Sequence, residues 1–238
     1  MNENEINNLT MEEVERRRAE RARAREQRMR RRLLIRRACI AVLALIIIVL
    51  AVVLISKAHR ASSLKARIEA LGAAEVPTWV EQQILPESSD SRRAVKLEDI
   101  TAVVIHDVGN PGTTAQQNRD YFANSGTKVN SHFLVGLDGE IIQCLPLDEK
   151  SSATGERNRD TISIEVCHPD ESGEFSDASY ASLVKLTAWL CDLCGLDAKD
   201  GVIRHYDVSG KECPLYYVEH EDAWQQLLED IDAARSKD

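Results

Sequence analysis

Hydrophobic positions divide the chain into one long apolar segment near the N-terminus and a C-terminal part with shorter apolar runs. The 18 residues from Ala38 to Ile55 contain no charged side chain. As a helix they would span about 27 Å, close to the hydrocarbon thickness of a bilayer, which predicts a single transmembrane helix. A cleaved signal peptide is the alternative, but its apolar region is shorter and ends in small residues, unlike Ser56 to Arg60.

Charge is distributed unevenly around this apolar segment. Residues 1–37 carry 12 Arg against 7 Glu, whereas residues 38–238 carry 18 Lys and Arg against 32 Asp and Glu. The positive-inside rule therefore predicts a cytoplasmic Arg-rich tail (1–37) before the membrane helix (38–55) and an extracytoplasmic folded domain (96–238). Pro77, Pro86 and a Ser-Ser-Asp-Ser run indicate a stalk and linker at 56–95. The acidic balance of that domain argues against a nucleic-acid partner, because phosphate contacts need clustered Lys and Arg.

The pattern from Lys96 onward is typical of an α/β domain, in which short apolar runs alternate with amphipathic helices. Strands are predicted at 100–105, 133–137, 141–145, 162–166 and 202–204. The second and third of these flank Asp138-Gly139, a dipeptide that favours a tight hairpin. A helix capped by Thr113 or Thr114 is predicted to run to about Ala123. Apolar spacings of three and four residues predict helices at 176–194, with Ser176 as the cap and Gly195 as the end, and around 224–234.

Three side chains in this domain are candidate metal ligands. His106 and His205 each follow a predicted strand, and Cys213 comes eight residues after His205. A catalytic zinc site uses three ligands of the His, Cys or carboxylate type and keeps one position open for water. Taken singly, each of these residues is more often a packing or surface residue, and other histidines compete for the same role. The Cys191-x-x-Cys194 pair lies on a periodic apolar helix, which favours packing over a redox or metal role.

Four separated blocks resemble the type-2 N-acetylmuramoyl-L-alanine amidases, a family that includes phage endolysins, bacterial autolysins and the more distant peptidoglycan recognition proteins. The blocks are VVIHDVGNPGTTAQQNRDYF (Val103–Phe122), SHFLVGLDGEIIQCLPLDE (Ser131–Glu149), ISIEVCHP (Ile162–Pro169) and VIRHYDVSGKECP (Val202–Pro214). The resemblance implies a mixed central β-sheet flanked by helices. It also implies zinc-dependent hydrolysis of the bond between N-acetylmuramic acid and L-alanine in peptidoglycan.

The resemblance also implies roles for individual residues. His106, His205 and Cys213 match the zinc ligands, Glu165 matches the catalytic base, and Lys211 matches the lysine that stabilises developing negative charge. A glutamate within the apolar run of Ile162 to Val166 is unusual for a buried strand, and burial there would raise its pKa. An edge-strand glutamate facing water is the alternative.

Some positions leave alternatives open. His132 is predicted to line the cleft as a substrate contact, or else to be a structural histidine with satisfied hydrogen bonds. Ser131 stands where some relatives have a tyrosine, which excludes a tyrosine-based mechanism. The alternative functions are a peptidoglycan sensor that keeps the fold without the chemistry, and a zinc peptidase of other specificity. Retention of Cys213, Lys211 and Glu165 favours the enzyme over the sensor. No oligomeric state follows from the sequence.

Overall fold

A computed structural model describes residues 10–235 and divides into two compact units, one up to Ala61 and one from Ser62 onward. A single helix, α1 (Met11–Gly72), accounts for the described part of the first unit. Among residues 10–235, α1 is the one helix long and apolar enough to cross a membrane, with a mean hydropathy of 3.6 over its most apolar 18 residues. The predicted membrane helix at 38–55 lies within α1.

The second unit contains a sheet, several helices and connecting loops. Its strands are β1 (Glu81–Gln82), β2 (Ala102–Asp107), β3 (Phe133–Val135), β4 (Ile141–Gln143), β5 (Thr161–Val166) and β6 (Val202–Arg204). Its helices are α2 (Ala115–Ala123), α3 (Asp177–Cys194), α4 (Ala198–Gly201), α5 (His205–Ser209), α6 (Leu215–Glu219) and α7 (Glu221–Ala234). A short 3₁₀ helix at Gly155–Arg159 precedes β5.

The six strands form one mixed sheet in the order β1-β4-β3-β5-β2-β6. β3 and β4 are antiparallel and form the predicted hairpin, while the β2, β3, β5 and β6 pairings are parallel. The prediction of a mixed central sheet with flanking helices is confirmed. β2 begins and ends two residues later than the strand predicted at 100–105.

The helix ends follow local capping chemistry. The Thr114 side chain accepts a hydrogen bond from the Gln117 backbone amide, and Gln117 accepts one in return, so α2 begins with a capping box. At the start of α3 the Ser176 side chain accepts a hydrogen bond from the Ser179 backbone amide, and Gly195 ends the helix with a φ of 64°. These ends are the ones that the sequence predicts.

The two faces of the sheet differ in chemistry because successive strand residues point to opposite sides. Val103 and Ile105 of β2 and Ile162 and Ile164 of β5 belong to a core cluster that also holds apolar residues of α3 and α7. The alternate residues, among them His106 and Glu165, therefore point to the other face. The polar side chains of His106 and Glu165 thus lie on the face of the sheet opposite α3 and α7.

Packing extends upstream of residue 96, into the segment predicted as stalk and linker. Ile68, Leu71 and Val80 are buried in the same core cluster as the sheet residues. Arg92 forms a two-point ion pair with Glu149, in which Nε and Nη2 each lie 2.9 Å from a carboxylate oxygen. These apolar and ionic contacts, rather than the Pro and Ser content of the segment, determine where the folded unit begins.

Candidate metal and catalytic site

Strand register brings the candidate residues to one place. β2 pairs with β5 so that His106 lies directly opposite Glu165. β2 also pairs with β6, with Ile105 opposite Arg204, so His205 follows β6 at the level of His106. Paired residues of neighbouring strands point to the same face, so His106 and Glu165 lie side by side on one face of the sheet, and His205 follows the end of β6.

Cys213 completes a cluster with the two histidines. The candidate ligand atoms of His106, His205 and Cys213 all lie within 4.8 Å of one another. Cys213 Sγ is 3.7 Å from His106 Nδ1, and the two imidazole centroids are 4.7 Å apart. The structure thus brings together the three residues that the sequence proposed as ligands.

The bonding of the two imidazoles fits a bound cation. His205 Nδ1 is buried and has no hydrogen-bond partner among residues 10–235. His106 uses Nε2 for a contact with Thr154 Oγ1 at 3.2 Å, which leaves Nδ1 directed at Cys213. A buried ring nitrogen without a partner is costly unless something else satisfies it. These three residues can therefore hold a metal ion.

The protonation states of the cluster agree with this use. Burial lowers the pKa of His106 well below its ordinary value, assisted by the charges of His205 and Lys211. Burial also lowers the pKa of His205. Both rings are thus neutral at physiological pH, which is the form that coordinates metals.

The pKa of Cys213 is shifted in the opposite direction to the pKa values of the two histidines. Burial raises the pKa of its thiol, and the charges of Asp107 and Glu165 raise that pKa further. The thiol is 1% exposed and sits at the cis peptide bond between Cys213 and Pro214. A bound cation would lower the pKa of this thiol, because a coordinating thiol is deprotonated by the metal.

Glu165 lies on an internal strand, between β3 and β2, and not at the sheet edge. Its Oε1 is 3.9 Å from His106 Nδ1, and its side chain is 20% exposed. Burial raises the pKa of Glu165 to about 8, and the charge of Asp107 adds to this effect. A carboxyl group with such a pKa can both accept and release a proton near neutral pH.

Lys211 lies in the exposed turn between α5 and Cys213, after Gly210 has ended α5 with a φ of 74°. Its positive charge lowers the pKa of His106, His205 and Glu165, which places the ammonium group within electrostatic reach of all three. The ammonium is therefore available beside the cluster and open to solvent.

His132 does not have the position of a substrate contact. Its side chain is fully buried, Nδ1 accepts from the Ser163 amide at 3.0 Å, and Nε2 donates to the Glu149 carbonyl at 2.8 Å. Burial lowers the pKa of His132 to about 4, so the ring stays neutral. The structural alternative fits this histidine, and the predicted substrate contact is not retained.

Two further residues contact the cluster and are absent from the sequence prediction. Thr154 bonds His106, from which it is 48 residues distant in the chain. Asp107 Oδ2 accepts from the Leu215 amide at 2.7 Å and so fixes the segment that follows Cys213. Asp107 stands next to a predicted ligand, which was an available signal, whereas nothing in the local sequence marks Thr154.

Comparisons with known proteins agree with this geometry. A family model described as N-acetylmuramoyl-L-alanine amidase matches residues 96–215. The chain is 28% identical over 154 residues to the amidase BlyA of Bacillus subtilis, covering 56% of this chain and 41% of that one. It is 28% identical to XlyB of the same organism, covering 62% of this chain and 47% of XlyB. The chain thus spans less than half the length of these two relatives.

The match covers nearly the whole length of two solved structures of related domains. The catalytic domain of XlyA is 28% identical, with a TM-score of 0.55, and the match covers 64% of this chain and 98% of that domain. PlyL is 20% identical, with a TM-score of 0.58 over 66% of this chain and 99% of the PlyL chain, which supports the fold.

The raised pKa of Glu165 predicts a pH-dependent stability in the metal-free protein. The unfolded chain releases this proton near 4.5 and the folded chain near 8, so the contribution of the protonated carboxyl to stability is lost as pH rises across that interval. Glu165→Gln should lack this loss. The test is to measure melting temperatures of both metal-free full-length proteins in detergent between pH 4.5 and 8. Exposed Glu219→Gln is the control and should follow the wild type, whereas identical profiles for wild type and Glu165→Gln would contradict the prediction.

Proposed function

The chain belongs to the N-acetylmuramoyl-L-alanine amidase family, and we propose that residues 96–238 hydrolyse the amide between N-acetylmuramic acid and L-alanine in peptidoglycan. The observation that carries this proposal is the cluster of His106, His205 and Cys213 with Glu165 at 3.9 Å from His106. The named relatives are amidases of this type. A binding protein would need neither the cluster nor a buried acid with a raised pKa.

Zinc is the metal that we propose for the cluster. Two imidazole nitrogens and one thiolate are ligands that zinc accepts, and three protein ligands leave one coordination position open. When bound, zinc acidifies a water molecule and polarises the carbonyl of the scissile amide. Hard cations such as Mg²⁺ and Ca²⁺ prefer oxygen ligands, which this set lacks.

Glu165 is the proposed base. It sits beside His106, and the pKa near 8 gives its carboxylate enough basicity to take a proton from the attacking water. The same carboxyl group can then pass that proton to the leaving amine. The pKa near 8 already includes the lowering effect of the Lys211 charge. A bound cation would lower the pKa of Glu165 further and so populate its ionised form at neutral pH.

Lys211 is the proposed stabiliser of the tetrahedral oxyanion. Its ammonium is exposed in the turn before Cys213, so a substrate carbonyl can reach it. Negative charge develops on that carbonyl oxygen only as the water attacks. An ammonium beside it therefore stabilises the transition state more than the bound substrate.

A membrane anchor completes the proposed function. Residues 38–55 of α1 are apolar, and the 12 Arg of residues 1–37 favour a cytoplasmic N-terminus. This topology would place residues 96–238 outside the cell membrane, on the side where peptidoglycan lies. Anchor and substrate then occupy the same compartment.

Hydrolysis is tested with purified full-length protein and isolated peptidoglycan. Wild type should release stem peptides with a free L-alanine amino group, identified by mass spectrometry. Glu165→Gln should lower kcat by roughly 10²- to 10⁴-fold and Lys211→Met by roughly 10²-fold, with smaller changes in KM. Glu219→Gln should match the wild type. Wall binding without peptide release would instead identify a sensor, and cleavage within the stem would identify a peptidase.

Zinc content is tested by elemental mass spectrometry of the same protein. We expect about one zinc per chain in the wild type, and loss of most of it in His205→Ala and Cys213→Ser. The control is His220→Ala, since His220 is exposed and bonds the Tyr216 carbonyl on its own helix. Peptide release that persists after complete zinc removal would exclude the metal mechanism.

Topology is tested by labelling one introduced cysteine at a time in intact cells. A cysteine placed at exposed Glu219 should react with a membrane-impermeant maleimide, and one placed at Arg21 should react only after the membrane is opened. Five native cysteines are buried and Cys39 lies in the apolar segment 38–55, so the native cysteines should contribute little background. Labelling of the Arg21 position in intact cells would overturn the proposed orientation.

A further inference from the structure

The His106 ring is held from both sides by different groups. Nδ1 faces Cys213 Sγ at 3.7 Å, and Nε2 faces Thr154 Oγ1 at 3.2 Å. His106 and Thr154 are each 1% exposed, so solvent cannot replace either contact. The orientation of this ring therefore depends on a hydroxyl group contributed by a distant loop.

The loop that carries Thr154 is fixed by two asparagines. Asn158 Oδ1 accepts from the Thr154 amide at 2.7 Å and from the Ala153 amide at 3.0 Å. Asn130 Oδ1 accepts from the Ser152 amide at 2.7 Å, and Asn130 is itself buried. The backbone that leads up to the hydroxyl, from Ser152 to Thr154, is thus bonded to side chains of the same folded unit.

We propose that Thr154 is a positioning residue that holds His106 in the tautomer required for metal binding. A neutral imidazole carries one hydrogen, and a nitrogen that binds a cation must offer its lone pair. If Nδ1 binds the cation, Nε2 carries the hydrogen and needs an acceptor, which the Thr154 hydroxyl supplies. This inference rests on the metal site of the proposed function.

The geometry also gives Thr154 a role in orientation. Rotation of the His106 ring by 180° would exchange its nitrogens with its carbon atoms and break the contacts with both Thr154 and Cys213. The hydroxyl favours the one ring orientation in which Nδ1 points toward Cys213 and His205. Thr154 acts on the metal through His106 and does not itself belong to the cluster.

The matched variants are Thr154→Val, which removes the hydroxyl at nearly constant volume, and Thr154→Ser, which keeps it. Thr127→Val is the control, because Thr127 is also buried and donates to a carbonyl, that of Tyr121 at 2.9 Å, in a different segment. Zinc affinity of full-length protein is measured by competition with a chromophoric chelator. The absorption spectrum of the Co²⁺-substituted protein reports the ligand geometry.

Thr154→Val should bind zinc roughly 10- to 100-fold more weakly than the wild type and show an altered Co²⁺ spectrum. Thr154→Ser should stay close to the wild type in both measurements, and so should Thr127→Val. Melting temperatures of the metal-free forms should be similar for the two valine variants. If Thr154→Val does not fold, Thr154→Ala provides the same comparison.

Wild-type affinity and spectrum in Thr154→Val would overturn the inference while leaving the proposed metal site intact. Equal losses in Thr154→Val and Thr154→Ser would also overturn it, since the hydroxyl would then not be the cause. A wild-type protein that binds no zinc would overturn both the inference and the metal centre of the proposed function.

Discussion

The fixed register between β2 and its two neighbours is the constraint on which the site depends. It sets His106 opposite Glu165 on one side and level with His205 on the other. A slip of one residue in β2 would turn His106 toward the helices and bring Ile105 into the site. Such a slip would expose apolar side chains that now pack against α3 and α7, so core burial and site geometry enforce the same register.

The electrostatics of the cluster follow from this enforced proximity. Asp107 and Glu165 both raise the pKa of the Cys213 thiol, and Asp107 raises that of Glu165. Neighbouring negative charge disfavours the ionised forms of the Cys213 thiol and the Glu165 carboxyl group. A cation at the cluster would oppose this effect, because it favours the thiolate and the Glu165 carboxylate together. The acidic surroundings are therefore consistent with a site for a cation.

The sequence predicted most of the sheet and the principal helices, because apolar periodicity, Asp138-Gly139 and the capping residues are local signals. His106, His205 and Cys213 were found through motif resemblance, since spacing alone did not separate them from the other histidines. The sequence left His132 between a substrate contact and a structural role, because a histidine in a motif does not reveal its burial or its bonds to Ser163 and Glu149. Upstream packing of Ile68 and Leu71 was missed because their partners lie far along the chain.

Distance along the chain also explains why this site depends on the sheet. Cys213 and His106 are separated by 107 residues, and Thr154 and His106 by 48. Each contact must be formed against the entropy of closing a long loop, which a single ligand contact does not offset. The sheet holds the strands that carry or precede these residues, so the folded unit presents the cluster at little further cost. A metal ion bound there would stabilise the folded form selectively, since the unfolded chain offers no comparable set of ligands.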